Sequence, residues 1–309
     1  MSPEQATTVS AQRTSGEQRS ESGGTSPLAV GAALLTVVLW ASAFIGIRAA
    51  GTDLSPGALT LARLTVGGVV LGVVVAVRRV PLPPRADVPR LLLCGVLWFG
   101  IYNIALNAAE QRIDAGSAAM VVGLGPVLIA ILAGVLLGEG FPRKLLIGAA
   151  VAFAGVLVIG VATSTQGLTA GVGSLLALVA AVTYAGGVIA QKPLLRNTSA
   201  LMVTWLACLT GAALCLPFVP QLVDGLATSS SSSIAWTLYL GIFPTAVAFT
   251  TWGYALARSS AGRLGALTYL SPPIAVVLAW LILGETPPWL ALFGGALCLT
   301  GVIYSQRKS

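Results

Sequence analysis

The sequence predicts an all-α integral membrane protein, with ten transmembrane helices arranged as two inverted five-helix repeats. Three observations lead to this prediction. Of the 309 residues, 56% are hydrophobic and only 9% are charged, whereas soluble domains carry about 25% charged residues. Apolar runs long enough to cross a bilayer recur along the whole chain. The second half also repeats the Pro and Gly positions of the first.

Residues 1–27 are rich in Ser, Thr, Gln, Glu and Gly and contain little to bury, which predicts a disordered cytoplasmic tail. No small-residue cleavage site follows a short apolar core there, so no secretory signal peptide is expected. The predicted division is therefore the tail at 1–27, a first five-helix repeat at 28–162 and a second repeat at 163–309.

Ten runs supply the roughly 20 apolar residues that a helix needs to cross about 30 Å of hydrocarbon. The spans are predicted at 28–48, 56–77, 90–109, 115–137, 144–162, 171–191, 199–220, 234–256, 262–283 and 288–305. The breaks between them, such as "GEGFPRK" and "DGLATSSSSS", contain the Pro, Gly, Ser and charged residues of connecting loops. Several links are short, so neighbouring helices run antiparallel.

The basic residues predict the orientation, because Lys and Arg collect on cytoplasmic loops. With the N-terminus inside, only Arg48 and Arg112 fall in outside segments, and Arg63 lies within a span. The inside segments hold Arg13, Arg19, Arg78, Arg79, Arg85, Arg90, Arg143, Lys144, Lys192, Arg196, Arg258, Arg263, Arg307 and Lys308. Both termini are therefore predicted to be cytoplasmic, in the plasma membrane (the inner membrane of a bacterium).

Composition also argues against several classes of function. The net charge of +7 comes from short loops and is an orientation signal, so no nucleic-acid partner is expected. The four cysteines lie inside apolar runs without metal-type spacing and indicate neither a disulfide nor a metal site. There is no His and no phosphate-binding Gly-rich loop, so neither an enzyme nor ATP hydrolysis is predicted. No cofactor is expected.

The repeat is clearest where "GPVLIAILAGVLLGEGFP" at 125–142 is followed by "SPPIAVVLAWLILGETPP" at 271–288. An offset of 146 positions pairs Pro126 with Pro272, Glu139 with Glu285, Gly95 with Gly241, Gly148 with Gly294, and Gly155 with Gly301. Earlier in each half an offset of 144 pairs Trp40 with Tyr184 and Arg48 with Lys192. Five spans per half is an odd number, so the second copy is inverted. Inverted repeats are typical of alternating-access carriers, whose substrate site lies near the bilayer midplane between the repeats.

The chain from about residue 28 to residue 305 resembles the EamA branch of the drug/metabolite transporter superfamily. Three features carry the resemblance: an aromatic residue followed eight positions later by Arg or Lys ("WASAFIGIR", "YAGGVIAQK"), an Arg in the second helix, and a Pro followed by Gly-Glu at the end of the fourth helix of each half. The start "YAGG" departs from the pattern, since it contains no Trp. The resemblance implies export or exchange of small metabolites, often amino acids or related compounds.

Arg63 is the first candidate substrate-binding residue, because it lies about 12 Å from the outer end of the second helix at 1.5 Å per residue. A charge at that depth costs at least about 2.5–3.5 kcal/mol on insertion scales and normally faces a cavity or a partner. It is predicted to anchor a substrate carboxylate or to line a pore as a source of positive field. The alternative is a structural Arg that is satisfied by helix-end carbonyls or snorkels outward.

Other candidate substrate-binding residues are aromatic or polar side chains within spans. Trp40 and Tyr184 either bracket a substrate or pack against neighbouring helices. Tyr102, Asn103 and Asn107 on the third helix, with Thr251 and Trp252 on the eighth, either line a wet cavity or hold helices together.

A structural or gating role is predicted for Pro126, Glu139, Pro272 and Glu285. Each Glu follows a Gly at a helix end, where it either carries a proton or binds backbone donors at the start of the next helix.

These observations together favour a secondary carrier for small organic metabolites. A channel or facilitative pore is the alternative, since inverted repeats also build pores. The expected partners are a small-molecule substrate and the lipid bilayer, and the chain is predicted to be a monomer or a homodimer.

Overall fold

The structure, a computed structural model, describes residues 26–113, 118, 121–163, 171–283 and 288–307. These residues form helices and connecting turns, and no strand occurs among them. Residues 1–25 of the predicted tail lie outside the described residues, so the disorder of that segment stays a prediction.

The first helices in chain order are α1 (Pro27–Ala50), α2 (Pro56–Arg78), α3 (Arg85–Glu110), α4 (Leu124–Leu136), α5 (Arg143–Thr163) and α6 (Val172–Leu194). They are followed by α7 (Ala200–Leu214), α8 (Val219–Thr228), α9 (Ser231–Arg258), α10 (Ala261–Leu267), α11 (Ser271–Leu283) and α12 (Trp289–Gln306).

Seven segments of the described chain are long and apolar enough to cross a bilayer: α1, α2, α3, α6, α9, Ala261–Leu278 and α12. The pair formed by α7 and Leu216–Thr228 is bent by 56° and adds an eighth if it is one span. Large apolar side chains, including Val77, Leu281 and Trp289, are exposed on the outside of the bundle. Such a surface suits hydrocarbon rather than water. The chain is a multi-pass helical membrane protein, and the count of ten spans stays a prediction.

The bend after α7 differs from the straight span predicted at 199–220. A short 3-10 turn, Leu216–Phe218, separates α7 from α8. Pro217 lies in that turn, and proline has no N–H to donate to a carbonyl of the preceding turn. The helix direction therefore changes there.

Both α3 and α9 contain a π-helical segment. These segments are Gly95–Ile101 and Gly241–Val247, and their first residues are 146 positions apart. A π-segment carries wider backbone hydrogen bonds than an α-helix, and such segments are frequent at functional sites.

α5 and α12 pack backbone against backbone through glycine. A Cβ atom placed on Gly148 would lie 2.6 Å from the Gly301 carbonyl oxygen, and one on Gly155 would lie 2.6 Å from that of Gly294. Residue numbers rise along one helix as they fall along the other, so the two helices are antiparallel. Small residues allow this close approach inside a membrane.

Candidate functional site

The 28 residues of α9 connect two ends of the bundle that are about 42 Å apart at 1.5 Å per residue. At its start, Ser230 donates its N–H (2.9 Å) and its hydroxyl (3.0 Å) to Asp53. Hydrogen bonds from Ser233 and Ser230 hold the pKa of the Asp53 carboxyl at about 2, below its ordinary 3.8. We call this the Arg48 end, and the opposite end, where α9 finishes, the Lys192 end.

Arg63 is the eighth residue of α2 and is only 3% exposed. Its Nε atom donates to the Thr245 hydroxyl over 3.2 Å, and this is the one hydrogen bond of the guanidinium to described residues. Tyr102, Cys208 and Glu110 lie within electrostatic reach of its charge. The burial argues against the snorkelling alternative, because the side chain stays inside the bundle.

Thr245 accepts from Arg63 because the π-segment of α9 orients its hydroxyl. Pro244 lies inside that segment and has no N–H for the carbonyl four residues before it, on Leu240. The Thr245 hydroxyl donates to this carbonyl over 2.8 Å. With its hydrogen fixed on Leu240, the hydroxyl oxygen presents its lone pairs to the guanidinium.

An aromatic cluster fills the space between α1, α3, α6 and α9. It consists of Trp40, Trp98, Tyr184, Phe249 and Trp252. Ring centroids are 5.0 Å apart for Trp40 and Trp252, 5.4 Å for Trp98 and Tyr184, and 4.9 Å for Trp98 and Phe249. Trp40 and Tyr184 lie edge to face at 6.4 Å, a favourable arrangement for aromatic pairs. Three of the predicted site residues therefore lie together.

Polar groups within the aromatic cluster are incompletely satisfied. Trp40 donates its indole N–H to the Pro244 carbonyl over 3.3 Å. The indole N–H of Trp252 and the hydroxyl of Tyr184 are buried without a hydrogen bond to described residues, although Thr268 lies near that hydroxyl. Buried donors without partners are rare and indicate a place where water or a ligand binds.

Tyr102 extends the aromatic cluster toward Arg63. Its ring lies 5.8 Å from that of Tyr184, and Arg63 interacts with it electrostatically. Gly125 lies on the other side of Tyr184, where an added Cβ would be 2.6 Å from the ring. The buried cation and the aromatic rings thus form one continuous region.

Asn103 lies in a different environment from the wet cavity that is one of the two alternatives predicted for it. Its Nδ2 atom donates to the carbonyls of Trp98 (3.0 Å) and Phe99 (2.9 Å) in its own helix, and the residue is 1% exposed. The wider bonding of the π-segment leaves carbonyls free where it returns to α-helix. The Asn103 amide satisfies them, which favours a structural role.

Asn107 lines a cleft of about 200 Å³ at the Arg48 end. Its Nδ2 atom donates to the Thr60 hydroxyl (3.0 Å) and to the Pro56 carbonyl (3.3 Å). The charged side chains of Arg48 and Glu110 line the same cleft, with Thr52 and Gln111.

Thr251 connects α9 to α1. Its hydroxyl lies 2.8 Å from that of Thr36, and Thr36 also approaches the Ala248 carbonyl at 3.2 Å. The Thr251 hydroxyl also donates to the Val247 (3.1 Å) and Ala248 (3.0 Å) carbonyls of its own helix. The contact with Thr36 favours the helix-joining alternative of the two predicted for it.

At the Lys192 end, Glu139 accepts hydrogen bonds from the backbone N–H groups of Ala261 (2.7 Å) and Gly262 (3.1 Å). These donors begin α10, so the expectation that Glu139 binds the helix directly after it is wrong: its partners belong to the other half of the chain. Lys192 donates to the carbonyls of Leu256 and Ser259 at the end of α9. An anion at a helix start and a cation at a helix end both suit the helix dipole.

The turn 259–262 is therefore held from both sides by charged side chains, and we call this arrangement the Lys192-end clamp. Glu285, the repeat equivalent of Glu139, lies outside the described residues. Pro126 and Pro272 stand in the first turns of α4 and α11, where a proline leaves no helical donor missing. Each follows a break in the helix, at Gly123 and at Thr268–Leu270 respectively.

Trp98, Phe249 and Thr36 carry no motif that marks them in the sequence. The same is true of Arg48 and Glu110 as cleft residues. Trp98 stands in the stretch "WFGIYN", four residues before Tyr102 of the predicted polar face, and Arg48 ends a repeated motif. Among the described residues no group of three or more His, Cys, Asp or Glu side chains could hold a metal ion. All four cysteines are buried and free.

Comparisons with known proteins agree with the resemblance. The model of the EamA-like transporter family matches residues 27–161 and 171–305. A probable terminal-alkyne amino-acid exporter of Streptantibioticus cattleyicolor is 40% identical over 281 residues, which are 91% of this chain and 94% of that protein. A probable amino-acid metabolite efflux pump of Escherichia coli is 29% identical over 283 residues, 87% of this chain and 92% of that protein.

A likeness to a solved structure extends to most of the fold. A crystal structure of a protein with 23% identity matches with a TM-score of 0.73 and covers 90% of this chain and 96% of that chain. At this level of identity the likeness shows a shared fold and nothing about activity.

Proposed function

Because this chain belongs to the EamA-like transporter family, we propose that it is a secondary transporter that exports small amino acids or related metabolites by alternating access. The family and the named relatives are transporters, so the chain is a transporter rather than an enzyme. The two relatives described above are named for amino-acid export, which supports this substrate class.

The observation that carries the proposal is the position of Arg63. A guanidinium that is 3% exposed, about 12 Å along α2, costs free energy that packing alone does not return. Its neighbours are Thr245 and, through Tyr102, the aromatic cluster with its unpartnered donors. A cation beside apolar rings suits a solute with a carboxylate and an apolar side chain.

The proposed architecture is ten spans in two inverted five-helix halves. The antiparallel glycine contacts of α5 with α12 support it, as do the π-segments at equivalent positions of α3 and α9. The two matches to the family model lie in the two halves. In this arrangement the Arg48 end faces outward and both termini face the cytoplasm of the cell whose plasma membrane holds the protein.

The proposed gate follows from the difference between the two ends. At the Lys192 end the clamp on the turn 259–262 closes the bundle, whereas a cleft is present at the Arg48 end. Opening of the Lys192 end requires Glu139 and Lys192 to release their backbone partners. The conformation described here therefore corresponds to a carrier that is closed inward.

An export assay tests the proposal. Cells that express the chain are loaded with a terminal-alkyne amino acid (propargylglycine) or its saturated counterpart (norvaline), and intracellular retention is compared with that of cells expressing Arg63→Ala at equal membrane abundance. Faster loss from wild-type cells, with counterflow in vesicles, is the expected result. Equal retention contradicts amino-acid export, and channel-size currents without counterflow favour the pore alternative.

A further inference from the structure

Two residues that line the cleft at the Arg48 end carry buried hydrogen-bond acceptors that no described residue uses. These are Oδ1 of Asn107 and Oε1 of Glu110, which lie three residues apart and therefore on one side of α3. A buried acceptor without a donor is destabilising, so a native structure normally supplies one from water or a ligand.

The orientation of the Asn107 amide is fixed by its neighbours. The Pro56 carbonyl can only accept a hydrogen bond, so the atom of Asn107 that faces it at 3.3 Å is the NH₂ group. Thr60 uses its hydroxyl hydrogen on the same carbonyl over 2.8 Å, so it too accepts from that NH₂ group. The carbonyl oxygen of Asn107 is consequently left as a buried acceptor without a partner, in a residue that lines the cleft.

Arg48 supplies the opposite charge. It lines the same cleft as Glu110, yet no ion pair or hydrogen bond joins Arg48 and Glu110. The cleft thus holds a guanidinium and a carboxyl group that line one space without being joined. A ligand that bridges them needs a negative group and a positive group of its own.

We propose that this cleft binds the headgroup of an α-amino acid zwitterion, whose carboxylate pairs with Arg48 and whose ammonium donates to Glu110 and to the carbonyl oxygen of Asn107. This inference rests on the proposed export of amino acids and adds a second, outer subsite to the region around Arg63. An ammonium group has three donors and no acceptor, which matches two converging acceptors. A carboxylate fits the planar, paired donors of Arg.

The size of the cleft agrees with this ligand class. At about 30 Å³ per water-sized atom, the volume of about 200 Å³ holds a ligand of about seven non-hydrogen atoms. The ammonium, α-carbon and carboxylate of an amino acid use five of them, so a larger side chain extends beyond the cleft. The cleft therefore recognises the part that all α-amino acids share.

Binding to the purified full chain in nanodiscs tests the inference with three probes, and all variants carry Arg63→Gln so that the region around Arg63 does not contribute its proposed carboxylate contact. These are radiolabelled norvaline, which carries both charges, with pentanoate and butylamine, which each carry one of them. Glu110→Gln is expected to weaken the binding of norvaline and butylamine about tenfold or more and to leave the binding of pentanoate unchanged. Arg48→Gln is expected to weaken the binding of norvaline and pentanoate by a similar factor and to leave the binding of butylamine unchanged. Arg112→Gln, an exposed cation at the same end outside the cleft, is the control and keeps all three affinities.

This crossed pattern separates the inference from the proposed function. Unchanged norvaline affinity in both cleft variants overturns the subsite, even if export of amino acids occurs. Loss of binding of all three probes in either variant also overturns the subsite, because a specific charge contact cannot account for that loss. A crossed binding pattern without any export supports the subsite and contradicts the transport proposal alone.

Discussion

The Cys298 thiol lies 3.3 Å from the carbonyl oxygen of Ala152, the residue that stands 146 positions before it. On either side of this pair, Gly148 meets Gly301 and Gly155 meets Gly294. Ala152 and Cys298 are repeat equivalents that contact each other. The flanking contacts are exchanged, because Gly148 meets the equivalent of Gly155 and Gly155 meets the equivalent of Gly148. A two-fold axis produces this pattern. We infer that the axis relating the proposed halves passes close to Ala152 and Cys298.

The first prediction concerns the glycine contacts between α5 and α12. Gly148→Ala places a methyl group 2.6 Å from the Gly301 carbonyl oxygen, so the helices must separate at a cost of about 1–3 kcal/mol. We expect a lower melting temperature in detergent. Gly31→Ala is the matched control, because nothing lies within 4 Å of its added methyl, and alanine is the better helix former. Equal melting temperatures for the two variants would contradict the close approach of α5 and α12.

A second prediction concerns Arg63. Arg63→Gln removes the charge but keeps a hydrogen-bonding side chain, and export is expected to fall about tenfold or more because a substrate carboxylate loses its charged partner. Thr245→Val removes the hydrogen bond to Nε while the charge stays, so its effect is smaller. Membrane abundance is measured alongside export. The anchor role fails if Arg63→Gln exports normally.

The third prediction concerns the Lys192-end clamp. Glu139→Gln replaces a carboxylate that accepts from Ala261 and Gly262, and is expected to cost about 1–2 kcal/mol through lost capping and dipole interaction. Reaction of a cysteine placed at Ser259 with a thiol reagent should become faster, since the turn is freed. Asp224→Asn, an exposed carboxylate elsewhere, serves as the control. An unaltered labelling rate would count against the clamp as a gate.

A fourth prediction follows from the pKa of Asp53, which is lowered to about 2. A lowered folded-state pKa means that the contact with Ser230 stabilises the protein above the ordinary value of 3.8, and that this contribution is lost as the pH falls through about 2. The melting temperature of the wild type should exceed that of Asp53→Asn at neutral pH, with the difference shrinking below about pH 4. A difference that persists unchanged at about pH 2 contradicts this assignment.

The last prediction concerns energy coupling. Glu110 is the final residue of α3 and lines the cleft, so it lies near one end of the bundle rather than midway between the two. Proton-coupled carriers usually hold a titratable group deep within the membrane. In proteoliposomes, a pH gradient without membrane potential should therefore leave the substrate at the equilibrium of its own gradient. Uphill accumulation that disappears in Glu110→Gln would identify Glu110 as a proton carrier.

The helical membrane fold was accessible from the sequence because apolar run length and charge depletion are local properties. The equivalence of Trp40 and Tyr184 follows from the repeat, and the structure adds that their ring centroids are 6.4 Å apart. The π-segments were not, since one extra residue per turn changes the hydrogen bonding without a clear sequence signal. This is why neither of the two roles predicted for Asn103, lining a cavity or joining helices, includes the carbonyls of its own helix that its amide satisfies.

The partners of Glu139 and Arg63 could not be predicted for a different reason. Their hydrogen bonds join residues that are more than 100 positions apart, between the two halves. A single sequence specifies which residues carry charge, but distant pairing depends on how helices pack. The cleft at the Arg48 end is likewise built from the ends of different helices, so no contiguous motif describes it.

The aromatic cluster has a consequence for spectroscopy. The indoles of Trp40, Trp98 and Trp252 have centroids 5.0–5.9 Å apart, close enough for their electronic transitions to couple. Such coupled chromophores give a near-ultraviolet circular dichroism signal that depends on their mutual angles. The three helices that carry them, α1, α3 and α9, come from both halves of the chain, so relative rotation of the halves changes the signal. The proposed alternating access could thus be followed through the protein's own indoles, without any attached dye.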